Sequence, residues 1–244
     1  MAQRHQFRNQ MAEAFDSVTQ ERRPWCAYVL FEDDFLGFQF IRTETGSTAI
    51  WSTVEVLLNT AIGILADQAG GVLRLVIDGD NNAEDAVIYW GNQRAINLKA
   101  GAVFECRAKL SVIPTLTTEI VFGMAGDHNL DKDTISEGAW FKFDGSAAAL
   151  AESDDTTNNN DDKSTGVTVL ITEYRIYRID FTNLANVLFF IDGVNVATGT
   201  TFDMSNLTDA EAIMQPYISM DKGSDVGVAT FDIDYVRVWS KRTA

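Results

Sequence analysis

Residues 102–110 read AVFECRAKL, with Phe104, Cys106, Ala108 and Leu110 on one parity and Glu105, Arg107 and Lys109 on the other. Only an extended strand, whose successive side chains point to opposite sides, turns that alternation into one apolar and one polar face. GGVLRLVI (70–77) repeats the pattern, with Leu73, Leu75 and Ile77 set against Arg74. From Trp25 onward, short apolar runs alternate with clusters of Gly, Asn and Asp: 26–31, 38–42, 86–91, 118–124, 138–143, 167–172, 174–181, 186–191, 194–198, 213–220 and 228–239. Parallel strands need long crossover connections, and no convincing helix separates these runs. The pattern therefore predicts an all-β fold, a two-sheet antiparallel jelly-roll sandwich. The stretch FFIDGVNVATG (189–199) is the clearest hairpin, because Asp192-Gly193 supplies the positive φ angles of a type I′ turn. Asp192 is read as a turn residue.

At 244 residues the chain is long enough for one sandwich with a buried core, assigned here to 25–244. Residues 1–24 read differently. Phe7, Met11, Phe15 and Val18 follow at spacings of four, four and three, which predicts a short amphipathic helical arm that ends where Pro24 disfavours helical geometry at Arg23. Such a stripe would dock on its own domain, on a sister subunit or on a larger partner. ESDDTTNNNDDKSTG (152–166) has no apolar side chain and is expected to be a long exposed loop.

The formal net charge is −16, although the first 23 residues carry four arginines against three acids. An acidic surface without a basic stripe excludes nucleic acid as a partner. The longest nearly apolar run, VEVLLNTAIGILA, is interrupted and too short to span a bilayer, and MAQRHQFRNQ lacks the apolar core of a secretory signal. The expectation is a chain made in the cytoplasm without a signal peptide and not bound to membrane. Cys26 and Cys106 lie eighty residues apart without CxxC spacing and are read as buried free thiols.

Taken in order, FEDDFLG (31–37), GGVLRLVIDGD (70–80), FECRAKL (104–110), EIVFGMAGD (119–127), GAWFKF (138–143), YRIDFTNLANVLFFIDGVNV and FDIDYVRVW (231–239) resemble the concanavalin A-like, laminin-G-like lectin and glucanase superfamily. The resemblance covers roughly residues 30–240 and implies a jelly roll with one concave sheet. The combination of DDFLG, the Gly-Gly strand, FGMAGD and the DYVRVW ending is similar to jelly-roll proteins of tailed bacteriophages, which implies a virion structural role.

The glucanase branch carries its catalytic carboxylates on one strand as E-x-D-x-E or E-x-D-x-x-E, and retaining hydrolysis needs two carboxyls about 5 Å apart. FEDDF and ESDDTTNNN are the nearest clusters, and neither has that spacing. The chain is accordingly expected not to be an enzyme. His5 and His128 are its only histidines, which leaves a histidine triad or a multi-histidine zinc site one residue within the domain. Asp127, Asn129, Asp131 and Asp133 alternate as calcium ligands do, but Lys132 and Gly138 stand where an EF-hand needs Gly and Glu. A divergent calcium loop and a solvated acidic loop both stay open there, and likewise for DGDNNAED (78–85); no other cofactor is expected. Asp232 and Asp234 share a strand face, as framework or as a calcium ligand. Trp90 and Trp140, with Tyr89 and Trp51, are aromatic candidates for stacking on sugar rings, core packing being the alternative.

These readings lead to a non-enzymatic bacteriophage virion protein, a capsid decoration or cement protein on the head surface. Its expected partners are the major capsid protein or other virion proteins, as a homo-oligomer with Phe7, Met11, Phe15 and Val18 docking the arm. The alternatives are a lectin-like module for cell-surface or mucosal glycans, and a glycan hydrolase or lyase with an unfamiliar site.

Overall fold

The computed structural model describes residues 3–8, 11–16, 22–24, 29–36, 41–42, 50–56, 61–171 and 173–241; of 3–24 and 41–42 it describes the backbone alone. In chain order the strands are β1 (Gln3–Arg8), β2 (Met11–Asp16), β3 (Arg22–Pro24), β4 (Val29–Asp33), β5 (Ile41–Arg42), β6 (Trp51–Val56) and β7 (Ala61–Ile64). They continue as β8 (Leu73–Ile77), β9 (Asn82–Tyr89), β10 (Ile96–Asn97), β11 (Val103–Val112), β12 (Glu119–Ala125), β13 (Glu137–Asp144) and β14 (Ala148–Asp155). The last are β15 (Asn159–Thr168), β16 (Arg175–Asp180), β17 (Leu188–Ile191), β18 (Val194–Val196), β19 (Ile213–Asp225) and β20 (Ala229–Ser240). Among the described residues the only helical turns are Leu98–Ala100 and Lys132–Thr134.

Two large sheets result, antiparallel except where β5 meets β6. One has nine strands in the order β15-β14-β13-β12-β19-β9-β6-β5, with β10 beside β19; the other has eight in the order β18-β17-β16-β11-β20-β8-β7, with β4 beside β20. The all-β jelly-roll-like sandwich read from the sequence is the fold. Phe104, Cys106, Ala108 and Leu110 of β11 and Leu73, Leu75 and Ile77 of β8 all point into the core. They meet Ile120, Phe122 and Met124 of β12 and Ala139, Phe141 and Phe143 of β13 across the sandwich. Phe122 ties the layers together, its ring 4.9 Å from Tyr177 and 5.0 Å from Phe231 of the opposite sheet and 5.7 Å from Phe141 of its own.

In β20 the pairing with β11 slips between Arg107 and Ala108, a β-bulge that shifts the alternation so that Ile233 and Val236 both face inward. Asp232 and Asp234 lie on the outer side: Asp232 takes a bidentate pair from Arg74 at 2.6 and 2.8 Å, and Asp234 pairs with Arg107. They serve as framework. The Asp192-Gly193 turn has φ values of 50° and 78°, as the hairpin reading requires, and Asp192 also accepts from Arg175 and from the backbone of Ile176. Cys106 is a buried free thiol, and burial pushes its pKa up.

Two expectations are corrected. The helical arm is not formed: β1, β2 and β3 make a three-stranded sheet of their own. Phe7, Met11 and Phe15 are an even number of residues apart, so their spacing fits a period of two as well as a helical turn. The β1–β2 register sets Met11 and Phe15 opposite Arg8 and Arg4, on the parity opposite to Phe7. Val18 lies outside the described residues. The polar stretch 152–166 is not a loop but most of the β14–β15 hairpin at the edge of the nine-stranded sheet. An edge strand needs no apolar face, and the turn is organised by Asp155, fully buried, whose carboxylate accepts from the backbone of Thr157, Asn158 and Asn206.

Candidate functional site

The outer face of the nine-stranded sheet carries the chemistry. Strand register sets two transverse rows across it. One runs Glu152, Trp140, Gly123, Tyr217 and Tyr89 through β14, β13, β12, β19 and β9. The other runs Asp144, Glu119, Asp221 and Asp85, four carboxylates on four adjacent strands. Lys142 projects between the rows because it shares the parity of Trp140, while Phe141 and Phe143 alternate with it into the core.

The segment 126–136, between β12 and β13, folds back over this face. Ile135 packs with Val87, Val121, Trp140 and Tyr217, and the ammonium of Lys132 reaches Asp221 at 3.0 Å and also pairs with Glu119. His128 closes the near side, its Nδ1 3.2 Å from the Tyr217 hydroxyl and its ring 4.7 Å from that of Tyr89. What stays open is a cleft of about 210 Å³ toward the β14–β15 hairpin, lined by Lys132, Trp140, Lys142, Glu152, Asp154, Asn159, Asp161 and Asp162.

Inside it, Lys142 lies 3.2 Å from Glu152, 3.6 Å from Glu119 and 3.0 Å from Asp162. The indole N–H of Trp140 donates to Glu152 at 2.7 Å, and the Asp162 backbone N–H donates to the other carboxylate oxygen at 3.2 Å. The ring itself lies back over Gly138, where any Cβ would collide with it, and its backbone abuts Gly123, where a Cβ would do the same. Both glycines are thus explained by one tryptophan.

Burial pushes the Glu152 carboxyl up to about 7 against the opposing pull of Lys142. Asp162, in spite of its own partial burial, is held below the usual carboxylate range by hydrogen bonds from Glu152 and Lys142. Of the two, Glu152 is the one that burial biases toward its protonated form. Burial likewise raises Asp221, to about 6, against Lys132. For Lys132 and Lys142 burial acts downward, but the surrounding carboxylates outweigh it and keep both ammonium groups charged. Burial lowers His128. The cleft therefore sets a carboxyl raised toward neutrality and one held ionised on either side of a fixed cation.

Of the aromatics singled out in the sequence, Trp140 is in this cleft, only 6% exposed. Trp90 is one strand parity away from Tyr89 and packs against the core, its ring 4.8 Å from Phe31 and 6.5 Å from Trp51. The calcium candidates are occupied locally: Asp127 pairs with Arg94 at 3.3 Å, and Asn129 and Asp131 each accept from the backbone two residues on. Among the described residues no group of three or more His, Cys, Asp or Glu is placed to hold a metal ion. Phe7, Met11 and Phe15 belong to strands described as backbone alone. Glu119, Lys132, Lys142, Glu152, Asp162 and Asp221 were not anticipated; the available signal was Lys142 alternating with two phenylalanines in GAWFKFD.

No protein-family model matches the chain, and no curated protein does. Solved structures do. A laminarinase from Flavobacterium sp. UMI-01 superposes with a TM-score of 0.59 at 16% identity, covering 86% of this chain and 99% of that one. A protein of unknown function from Shewanella oneidensis MR-1 gives 0.55 at 14% identity, over 88% and 89%. A β-1,3-glucanase from Mycobacterium marinum gives 0.53 at 14%, over 86% and 97%. These likenesses establish the concanavalin A-like jelly roll as the fold. They also correct the expectation that the chain is not an enzyme: a missing E-x-D-x-E strand does not carry that exclusion, because the fold is the one glucanases and laminarinases have.

Proposed function

We propose that the protein recognises a carbohydrate chain in the cleft beside the β14–β15 hairpin. The observation that carries this reading is the cleft's lining, in which the rim side chains of Asp154, Asn159, Asp161 and Asp162, an amide and three carboxylates, stand around an indole held in place by the buried Lys142–Glu152 pair. Vicinal hydroxyls of a sugar each donate and accept, so such a lining matches them pairwise. The fold shared with a laminarinase and a β-1,3-glucanase supports a β-glucan as the first ligand to test. The test is retention in affinity gels and calorimetry on laminarin, mixed-linkage glucan and bacterial surface polysaccharides. Asn159→Ala and Asp161→Ala, at exposed rim positions, are expected to weaken binding about tenfold with an unchanged thermal midpoint. Absence of binding to the whole panel would discard the reading. Reducing-end release in the same samples reports whether a bound chain is also cut.

A second proposal concerns setting rather than chemistry: a component of a tailed-phage particle, on the capsid surface with the major capsid protein as partner. It is supported by the likeness of DDFLG, the Gly-Gly strand, FGMAGD and the DYVRVW ending to jelly-roll proteins of tailed bacteriophages. Quantitative mass spectrometry of purified particles decides it. Hundreds of copies in a simple ratio to the capsid protein are expected, and absence from particles would end it.

A further inference from the structure

The cleft beside the β14–β15 hairpin has a charge as well as a shape. Asp133, Glu152, Asp154, Asp161 and Asp162 line it against Lys132 and Lys142, five acids to two cations. The lysines do not offset the rim, because both are buried and each is held by carboxylates of its own. Lys142 lies among Glu152, Asp162 and Glu119, and Lys132 between Asp221 and Glu119. This face of the sheet thus already coordinates two primary ammonium groups, each between carboxylates from different strands.

Three further carboxylates of the cleft are not used in this way. Asp133 and Asp161 are exposed and Asp154 is half-buried, and none of them has a cationic partner among the described residues. They stand on two walls, Asp133 on the segment 126–136 and the other two on the hairpin. A bulge in β15 brings Asp161 there. Ser153 pairs with Asn160 and Ala151 with Lys163, so Asp161 and Asp162 together stand opposite Glu152. Asp162 pairs with Lys142, and Asp161 stays on the rim. Asp154 registers the excess: burial raises its carboxyl, and Asp155, Asp161 and Glu137 push in the same direction.

We infer that the ligand of this cleft carries positive charge of its own: a glycan with free amino groups, such as a β-linked glucosamine chain, whose protonated amine lies between the rim carboxylates. The inference rests on the carbohydrate reading of the cleft and narrows it. A sugar ammonium has donors and no acceptor, the chemistry of the two lysine head groups that the same face holds. A uronate or sulfated chain brings charge of the same sign as the rim and is rejected, and an N-acetylated chain brings none. The concave walls focus the field of a protein of net charge −16 on that cation.

The experiment is calorimetric titration of the full chain at about pH 5.5, where a sugar amine is protonated, with glucosamine oligomers, their N-acetylated counterparts, laminarin oligomers and oligogalacturonate. The amine-bearing chain is expected to bind about tenfold tighter than the acetylated one, with the gap closing as salt rises from about 0.05 to 0.5 M, and oligogalacturonate not to bind. Asp161→Asn keeps the shape of the rim and removes a charge, and is expected to cut the preference to about threefold or less. Asp67→Asn, which removes an exposed carboxylate between β7 and β8 of the other sheet, is expected to leave the preference in place. Equal binding of aminated and acetylated chains would overturn the inference and leave the carbohydrate reading standing, whereas no binding of any glycan would remove both. A preference that both substitutions diminish alike would belong to the charge of the whole chain and not to the cleft. Displacement of the glucosamine oligomer by oligolysine at equal concentration would mean that the cleft reads charge alone, and would overturn the inference as well.

Discussion

Glu152 has a raised carboxyl because its surroundings disagree about its proton. The sheet buries it, Trp140 donates to it and Lys142 favours its ionised form, and burial prevails. Its carboxyl lies above the ordinary value of a glutamate, so the folded state binds this proton more tightly than the unfolded chain does. The resulting stability is complete below about pH 4.5, is lost as pH climbs, and is gone above about 7. Thermal unfolding of wild type and Glu152→Gln should therefore diverge with pH. Relative to the variant, the wild type is expected to lose on the order of 2–3 kcal/mol between pH 4.5 and pH 8. Parallel curves across that range would mean that Glu152 is ionised throughout.

At the scale of elements, the β14–β15 hairpin depends on Asp155. Removing its carboxylate in Asp155→Ala takes away the acceptor of three backbone N–H donors, those of Thr157, Asn158 and Asn206, and empties a fully buried position. A loss of about 2–4 kcal/mol is expected, with faster amide exchange confined to residues 148–168 if the hairpin opens alone. This hairpin was the least legible part of the sandwich. β11 and β8 could be read from sequence because their strict alternation contrasts apolar with charged residues, and the β17–β18 turn because Asp-Gly has a conformational meaning. β15 alternates polar residues with polar residues, and nothing local distinguishes that from a loop. The arm misled for a related reason, since every spacing of four is also a spacing of two. The site was hidden by distance along the chain: Glu119, Lys142, Glu152 and Asp221 meet through the register of four strands, and Lys132 reaches them from the segment 126–136, which no local period encodes.

For the molecule as a whole, the charge of −16 sets a background against which each ion pair acts. The pairs of Lys132 and Lys142 are mostly buried and resist screening, whereas the repelling acids, such as Asp133 and Asp161, are in water. Adding salt from about 0.02 to 0.5 M should thus raise the melting temperature by a few degrees, measured calorimetrically. A fall would mean that exposed pairs such as Lys99–Asp209 outweigh the repulsion. The segment 126–136 has a different kind of consequence. By lying across the middle of the nine-stranded sheet it pushes the open surface out to the last hairpin, whose exposed side chains take no part in the core. On the proposed function, recognition and architecture fall on separate residues. A lineage carrying this fold could then exchange Asn159 and Asp161 for other polar side chains, and so change what it grips, at little risk to the sandwich that carries them.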